Sequence, residues 1–180
     1  MPAMVIEELG LRTASYPFDW LYSTLKENVS MVKEMLQSNT IEGVLKKYST
    51  FSERQPNDLD RNEYHFAFPH GPAANTPEFN DTARRRIQRL YDIIHSTEDI
   101  TFIFCNRNDK IDAKLLLEFI ETVQTINNKC KLLVLHGDIN LICVHPSIIL
   151  KYYPFPDCPN SDIGPNDRIY REWLKKNMLS

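Results

Sequence analysis

The chain has 180 residues, 42% of them hydrophobic and 25% charged, with a formal net charge of −3. That length suits one domain with a sizeable core, and the slightly acidic balance excludes broad binding to nucleic-acid phosphates, which calls for a basic surface. No apolar run approaches the ~18 residues of a membrane span, and the segment Met1 to Glu8 lacks the basic and long apolar regions of a secretory signal, so the expectation is a cytoplasmic protein with neither a nucleic-acid nor a membrane partner.

In chain order, Val5, Ile6 and Leu9, then Leu21, Leu25, Val29, Val32, Met35 and Leu36, recur at three- and four-residue steps, which predicts a helical N-terminal third. Ile41 to Tyr48 continues the same period with Ile41, Val44 and Leu45 on one face. Ser52 to Asn62 is polar and holds Pro56-Asn57-Asp58, a loop. Tyr64 to Phe68 is a short aromatic strand candidate closed by Pro69, and a Pro-rich loop follows from Gly71 to Pro77. Asn80 or Asp81 is a plausible cap for a helix whose apolar stripe is Ile87, Leu90, Ile93 and Ile94.

From residue 100 the pattern changes. Ile100 to Cys105 is an almost unbroken β-branched and aromatic run, the mark of a strand covered on both faces. Asp112 is placed to cap a helix with core positions Leu115, Leu116, Phe119, Ile120 and Val123, and Lys131 to His136 is a second buried strand. Leu141 to Val144 reads as a third, shorter strand, and Asp167 to Leu179 as a closing helix. A strand, a helix and a strand make a βαβ unit. The expectation is a single α/β domain over residues 1–180, three-layered and Rossmann-like, with a mostly parallel sheet and helices on both faces.

Ligands of such sheets bind beyond the carboxyl ends of the strands. Those ends here are Cys105 to Asn108, His136-Gly137-Asp138 and, if its strand joins in parallel, Pro69-His70-Gly71. His70, beside a glycine that permits close approach, is a candidate acid or base near neutral pH. The stretch Gly10 to Leu21 packs Arg12, Asp19, Trp20 and Pro17 together; Asp19 and Trp20 form either a substrate-facing acid with a stacking platform, or a cap paired with Arg12 above a core tryptophan. Arg84-Arg85-Arg86 with Arg89 sits on a helix, where 86 and 89 share a face; these are either anion-binding forks or partners of Glu78, Asp81 or Asp92. Asn106-Arg107 at a strand end is a further binding candidate, and His136-Gly137-Asp138 is either a ligand contact or a turn with a capping Asp. Cys105, Cys130, Cys143 and Cys158 include no Cys-x-x-Cys pair; Cys105 and Cys143 read as buried structural thiols, and Cys158 as the exposed one. With no His-Glu-x-x-His, no Gly-rich phosphate loop and no close acidic pair, neither metal nor cofactor is expected.

Gly10-Leu11-Arg12 followed by Ser15-Tyr16-Pro17-Phe18-Asp19-Trp20-Leu21 resembles the opening signature of a family of proteins labelled putative papain-like cysteine peptidases. Phe66-x-Phe68-x-His70, Arg85-Arg86-Ile87-x-Arg89-Leu90 and Ile103-Phe104-x-Asn106-Arg107 follow in the family's order, so the resemblance covers roughly residues 2–107. Family members open with a strand and a Ser-Leu-Gly-x-x-Cys turn just ahead of the helix that here starts near Pro2. The resemblance therefore implies a hydrolase-like domain without the family's N-terminal strand and nucleophilic Cys, and Gly71 stands where an acidic residue often follows the family's His.

Together these readings place catalytic roles on His70 and Asp19 and substrate binding on Arg12, Trp20, Arg86, Arg89, Asn106 and Arg107, toward an unidentified small molecule or peptide. Two other classes stay open: a transferase-like domain for an anionic or sugar-nucleotide substrate, with arginine clamps and Trp20 stacking, and a non-catalytic interaction module.

Overall fold

The computed structural model describes residues 6–10, 14–19, 21–51, 61–68, 76–106, 110–138, 140–152, 172–173 and 175–177. Helix α1, Leu25–Ser38, opens with a capping box: Thr24 Oγ1 accepts from the Glu27 N–H at 3.3 Å, and Glu27 Oε2 accepts from the Thr24 N–H at 2.6 Å. It ends at Asn39, whose φ of 51° is the left-handed stop. Helix α2, Glu42–Ser49, buries Val44, Leu45 and Tyr48. Helix α3, Pro77–Ile94, starts earlier than its polar residues imply. Thr76 is the cap, with its side chain accepting from the Phe79 N–H, and Pro77 takes the first turn, where a missing N–H costs nothing; Asn80 and Asp81 lie inside the helix.

Strand β1, Ile100–Asn106, is joined through helix α4, Ala113–Gln124, to strand β2, Cys130–His136, and the two strands pair in parallel with Ile100 opposite Cys130 and Asn106 opposite His136. Asp112 caps α4 as expected, its Oδ1 accepting from the Lys114 N–H at 2.9 Å. Strand β3, Ile148–Tyr152, pairs in parallel on the other side of β2, so the order is β1-β2-β3 and the protein is α/β with a three-stranded parallel sheet. The central strand is buried almost throughout, whereas Phe102, Ile103, Phe104 and Cys105 of β1 are only half-buried. The apolar run of β1 therefore does not reach two-sided burial among the described residues: β1 lies at the edge of the described sheet, not at its centre.

Two strand readings are corrected. Leu141 to Val144 is not a strand; Ile142 and Val144 are 78% and 90% exposed, and β3 begins only at Ile148. A four-residue apolar run cannot be told from a loop by periodicity alone. Tyr64 to Phe68 is likewise no ladder strand. Asn62 takes over its backbone: Oδ1 accepts from the Tyr64 and Phe66 N–H groups, Nδ2 donates to Tyr48 O, and His65 turns at φ 62°. A polar side chain that satisfies local backbone groups competes with sheet pairing. Isolated bridges from Ala67 to Tyr22 and to Arg61 are what that segment forms, the first with N–H···O bonds of 2.8 and 3.0 Å.

Helix α4 packs on α1 and on β2, and α2 packs on α1 and α3, so one apolar core runs from Val29 and Met35 through Leu116 and Ile120 to Leu132 and Val134. Of the closing helix, residues 172–173 and 175–177 are helical.

Candidate functional site

Seven aromatic rings gather between the 14–19 turn, α2, the 61–68 segment and the start of α3. Tyr48 is their hub, with ring centroids 5.8 Å from Phe66, 5.2 Å from Phe68 and 6.1 Å from Phe79; Phe51, Tyr64 and Phe18 extend the set. Edge-on and offset pairs of this kind add about 0.5–1.5 kcal/mol each beyond burial. The Tyr48 hydroxyl donates to Pro17 O at 2.7 Å, which fastens the 14–19 turn onto the aromatic hub. Burial pushes the Tyr48 phenol far above its ordinary range, and of the nearby charges Arg86 pulls it down while Asp19 raises it further.

Asp19 closes the turn on itself. Its Oδ2 accepts from the Tyr16 N–H at 2.9 Å, and its own N–H donates to Tyr16 O at 3.2 Å. The cap of the following helix is Thr24 instead, because Thr24 lies five positions beyond Asp19 and the turn consumes the carboxylate. Arg89 of α3 donates to Ser15 O at 3.4 Å. Arg86, one turn earlier, is half-buried, and among the described residues it makes no hydrogen bond or ion pair. The structure thus brings Asp19, Arg86 and Arg89 to one place, around a turn anchored by Tyr48. Tyr48 was not among the expected site residues: at helical spacing with Val44 and Leu45, nothing in its sequence context separates an anchoring phenol from a core ring.

The expected ion pairs of the arginine cluster are redistributed. Arg84 pairs with Glu42 of α2 at 2.8 Å, not with Glu78 or Asp92, at the rim of an open polar cleft of about 360 Å³ between α2 and α3. Asn106 is the last residue of β1. His70, Arg12, Trp20 and Arg107 lie outside the described residues, as does Cys158.

At the carboxyl end of β2, Asp138 joins two loops: Oδ2 accepts from the Ile111 N–H at 3.3 Å and Oδ1 from the Asn140 N–H at 3.0 Å.

A family model described as putative papain-like cysteine peptidase (DUF1796) matches residues 1–144. The chain belongs to that family. No curated protein and no solved structure matches the chain. A cysteine peptidase needs a thiolate with a lowered pKa. Cys130 is buried and its thiol is pushed up to about 11 by desolvation, and burial raises Cys143 as well. Cys105 and Cys143 are half-buried, so of the described thiols only Cys130 is enclosed in the core. Within the family's matched span, the 14–19 turn meets Arg89 of α3, and the charges of Asp19 and Arg86 both act on Tyr48. Among the described residues no helix is long and apolar enough to cross a membrane.

Proposed function

We propose that the chain is a hydrolase-like α/β domain that works without a cysteine thiolate and holds an anionic group of its substrate on Arg86, supported by Arg89. The observation that carries this reading is Arg86, a half-buried residue with no hydrogen-bond or ion-pair partner among the described residues, beside a turn that is itself held by Tyr48 and Arg89. A guanidinium removed from water without a counter-charge is costly, and a carboxylate or phosphate presented to its planar fork removes that cost. Arg86 and Arg89 stand three residues apart and so lie side by side on the helix. In this reading Asp19 positions the turn and polarises a bound group, His70 is the acid or base, and Arg12, Trp20, Asn106 and Arg107 complete the substrate contacts. The raised thiols of Cys130 and Cys143 support chemistry that does not pass through them. The proposal takes the chain as one three-layered, Rossmann-like domain of the cytoplasm, built around the βαβ unit and its parallel sheet.

The same Arg86 favours a second reading, a transferase-like domain for a sugar nucleotide. Thermal-shift titration separates the readings. Inorganic phosphate should raise the melting temperature of the wild-type protein, and Arg86→Gln should abolish the shift. A stabilisation by uridine diphosphate glucose well beyond that of phosphate favours the transferase. Labelling by a thiol-directed activity probe that blocks turnover overturns the thiolate-free hydrolase. Equal phosphate response in wild type and Arg86→Gln removes Arg86 from the site, and silence toward every probe leaves a non-catalytic interaction module.

A further inference from the structure

The carboxyl edge of the sheet holds a second set of polar groups that the arginine cluster does not use. In the parallel register Asn106 stands opposite His136, and His136 opposite Tyr152, so three strand ends form one rung. His136 is 4% exposed, and its ring meets that of Tyr152 edge-on with centroids 5.9 Å apart. Its Nδ1 lies 3.0 Å from Asp138 O. A carbonyl oxygen only accepts, so Nδ1 carries the hydrogen and Nε2 keeps a lone pair. Burial pushes the imidazole below its ordinary value of 6.5, against the opposing pull of the Asp138 carbonyl and carboxylate, and so favours the neutral ring. The Asp138 carboxylate is spent on the Ile111 and Asn140 N–H groups, and this fixes the carbonyl that sets the tautomer. Among the described residues neither Nε2 nor the Tyr152 hydroxyl has a hydrogen-bond partner, and Tyr152 is 44% exposed.

These groups select a ligand by charge and shape. A neutral imidazole with an accepting nitrogen wants an O–H or N–H donor and offers an anion nothing. The engaged Asp138 carboxylate is no ready partner for a cation. The half-exposed Tyr152 ring supplies an apolar plane next to a hydroxyl that donates or accepts. A neutral molecule with hydroxyl groups around a C–H face meets all three conditions. We propose that the carboxyl edge of the sheet is a binding site for a sugar or polyol, with a ligand hydroxyl donating to His136 Nε2 and the ligand's C–H face lying on Tyr152. The groups that would touch this ligand, His136 and Tyr152, take no part in the Arg86 reading.

The test is NMR on the full chain with ¹⁵N-labelled histidine, using methyl glucoside as the probe. The expected spectrum at neutral pH has a protonated Nδ1 and an unprotonated Nε2 for His136, assigned by loss of the signals in His136→Gln. Methyl glucoside should move the Nε2 resonance, and Tyr152→Ala should weaken that response severalfold while leaving the Nδ1–H tautomer in place. Should His136→Gln fail to fold, assignment through the backbone of the wild-type protein serves instead. A protonated Nε2, an Nε2 resonance unmoved by saturating glucoside, or an undiminished response in Tyr152→Ala overturns the proposal.

Discussion

Asp19 and Tyr48 both hold the 14–19 turn, one through a carboxylate and one through a phenol. Because the Tyr16 N–H is satisfied by an ionised group, removing the carboxylate exposes a half-buried donor. Asp19→Ala should therefore destabilise the protein by about 1–2 kcal/mol, read as a lower urea midpoint at unchanged slope. If the midpoint stays put while the phosphate response of the wild type disappears, Asp19 serves the ligand and not the turn. Glu34 is a residue of a different kind. Burial alone would raise its pKa, but hydrogen bonds from Lys47 at 2.8 Å and the Tyr64 hydroxyl at 2.8 Å, with the Lys47 charge, bring it below the ordinary 4.5. A carboxyl more acidic folded than unfolded stabilises the fold fully above pH 4.5, and that contribution drains away as pH falls through the folded value. Stability measured against pH should show Glu34→Gln weaker than wild type at pH 7, with the gap closing in acid. A gap that is constant with pH would show that packing, and not charge, makes the difference.

Elements separate cleanly by what neighbours them. Leu132 on β2 is 2% exposed, while Ile142 in the following loop is 78% exposed, although both belong to runs of the same apolar character. Leu132→Ala should cost about 2–5 kcal/mol, the lost transfer energy plus a cavity, and Ile142→Ala less than about 0.5 kcal/mol, as expected of a surface change. Chemical denaturation of the two variants checks this, and comparable losses would place Ile142 in a core. The same contrast explains the misread segment. Periodicity at 141–144 records hydrophobicity, and the partner that turns a run into a strand is β2, which β3 reaches first through Leu132–Ile148 pairing. Helix ends were more legible: Asp112 carries its cap in the sequence, whereas the start of α3 moved to Thr76 because Pro77 can open a helix but polar residues inside it cannot.

At the scale of the whole molecule, the apolar core extends without a break from α1 to β2, which argues for one cooperative unit. Urea unfolding followed by far-ultraviolet dichroism and by tryptophan fluorescence should give coincident transitions; two separated midpoints would divide the chain into two units. The sequence by itself determined the βαβ unit, the parallel pairing of β1 with β2, the helical periodicity from Leu25 to Leu36 and from Ile41 to Tyr48, and membership of the family whose model matches residues 1–144. These rest on local periodicity, local caps and a contiguous motif, all of which are written in neighbouring residues. Only the tertiary structure decided that Asp19 closes its own turn, that Arg84 leaves the arginine cluster for Glu42, that Arg89 meets Ser15, 74 positions earlier, and that a backbone carbonyl two residues on fixes the tautomer of His136. Charge partners and proton positions depend on which groups the fold brings within a few ångströms, and no spacing along the chain encodes that distance.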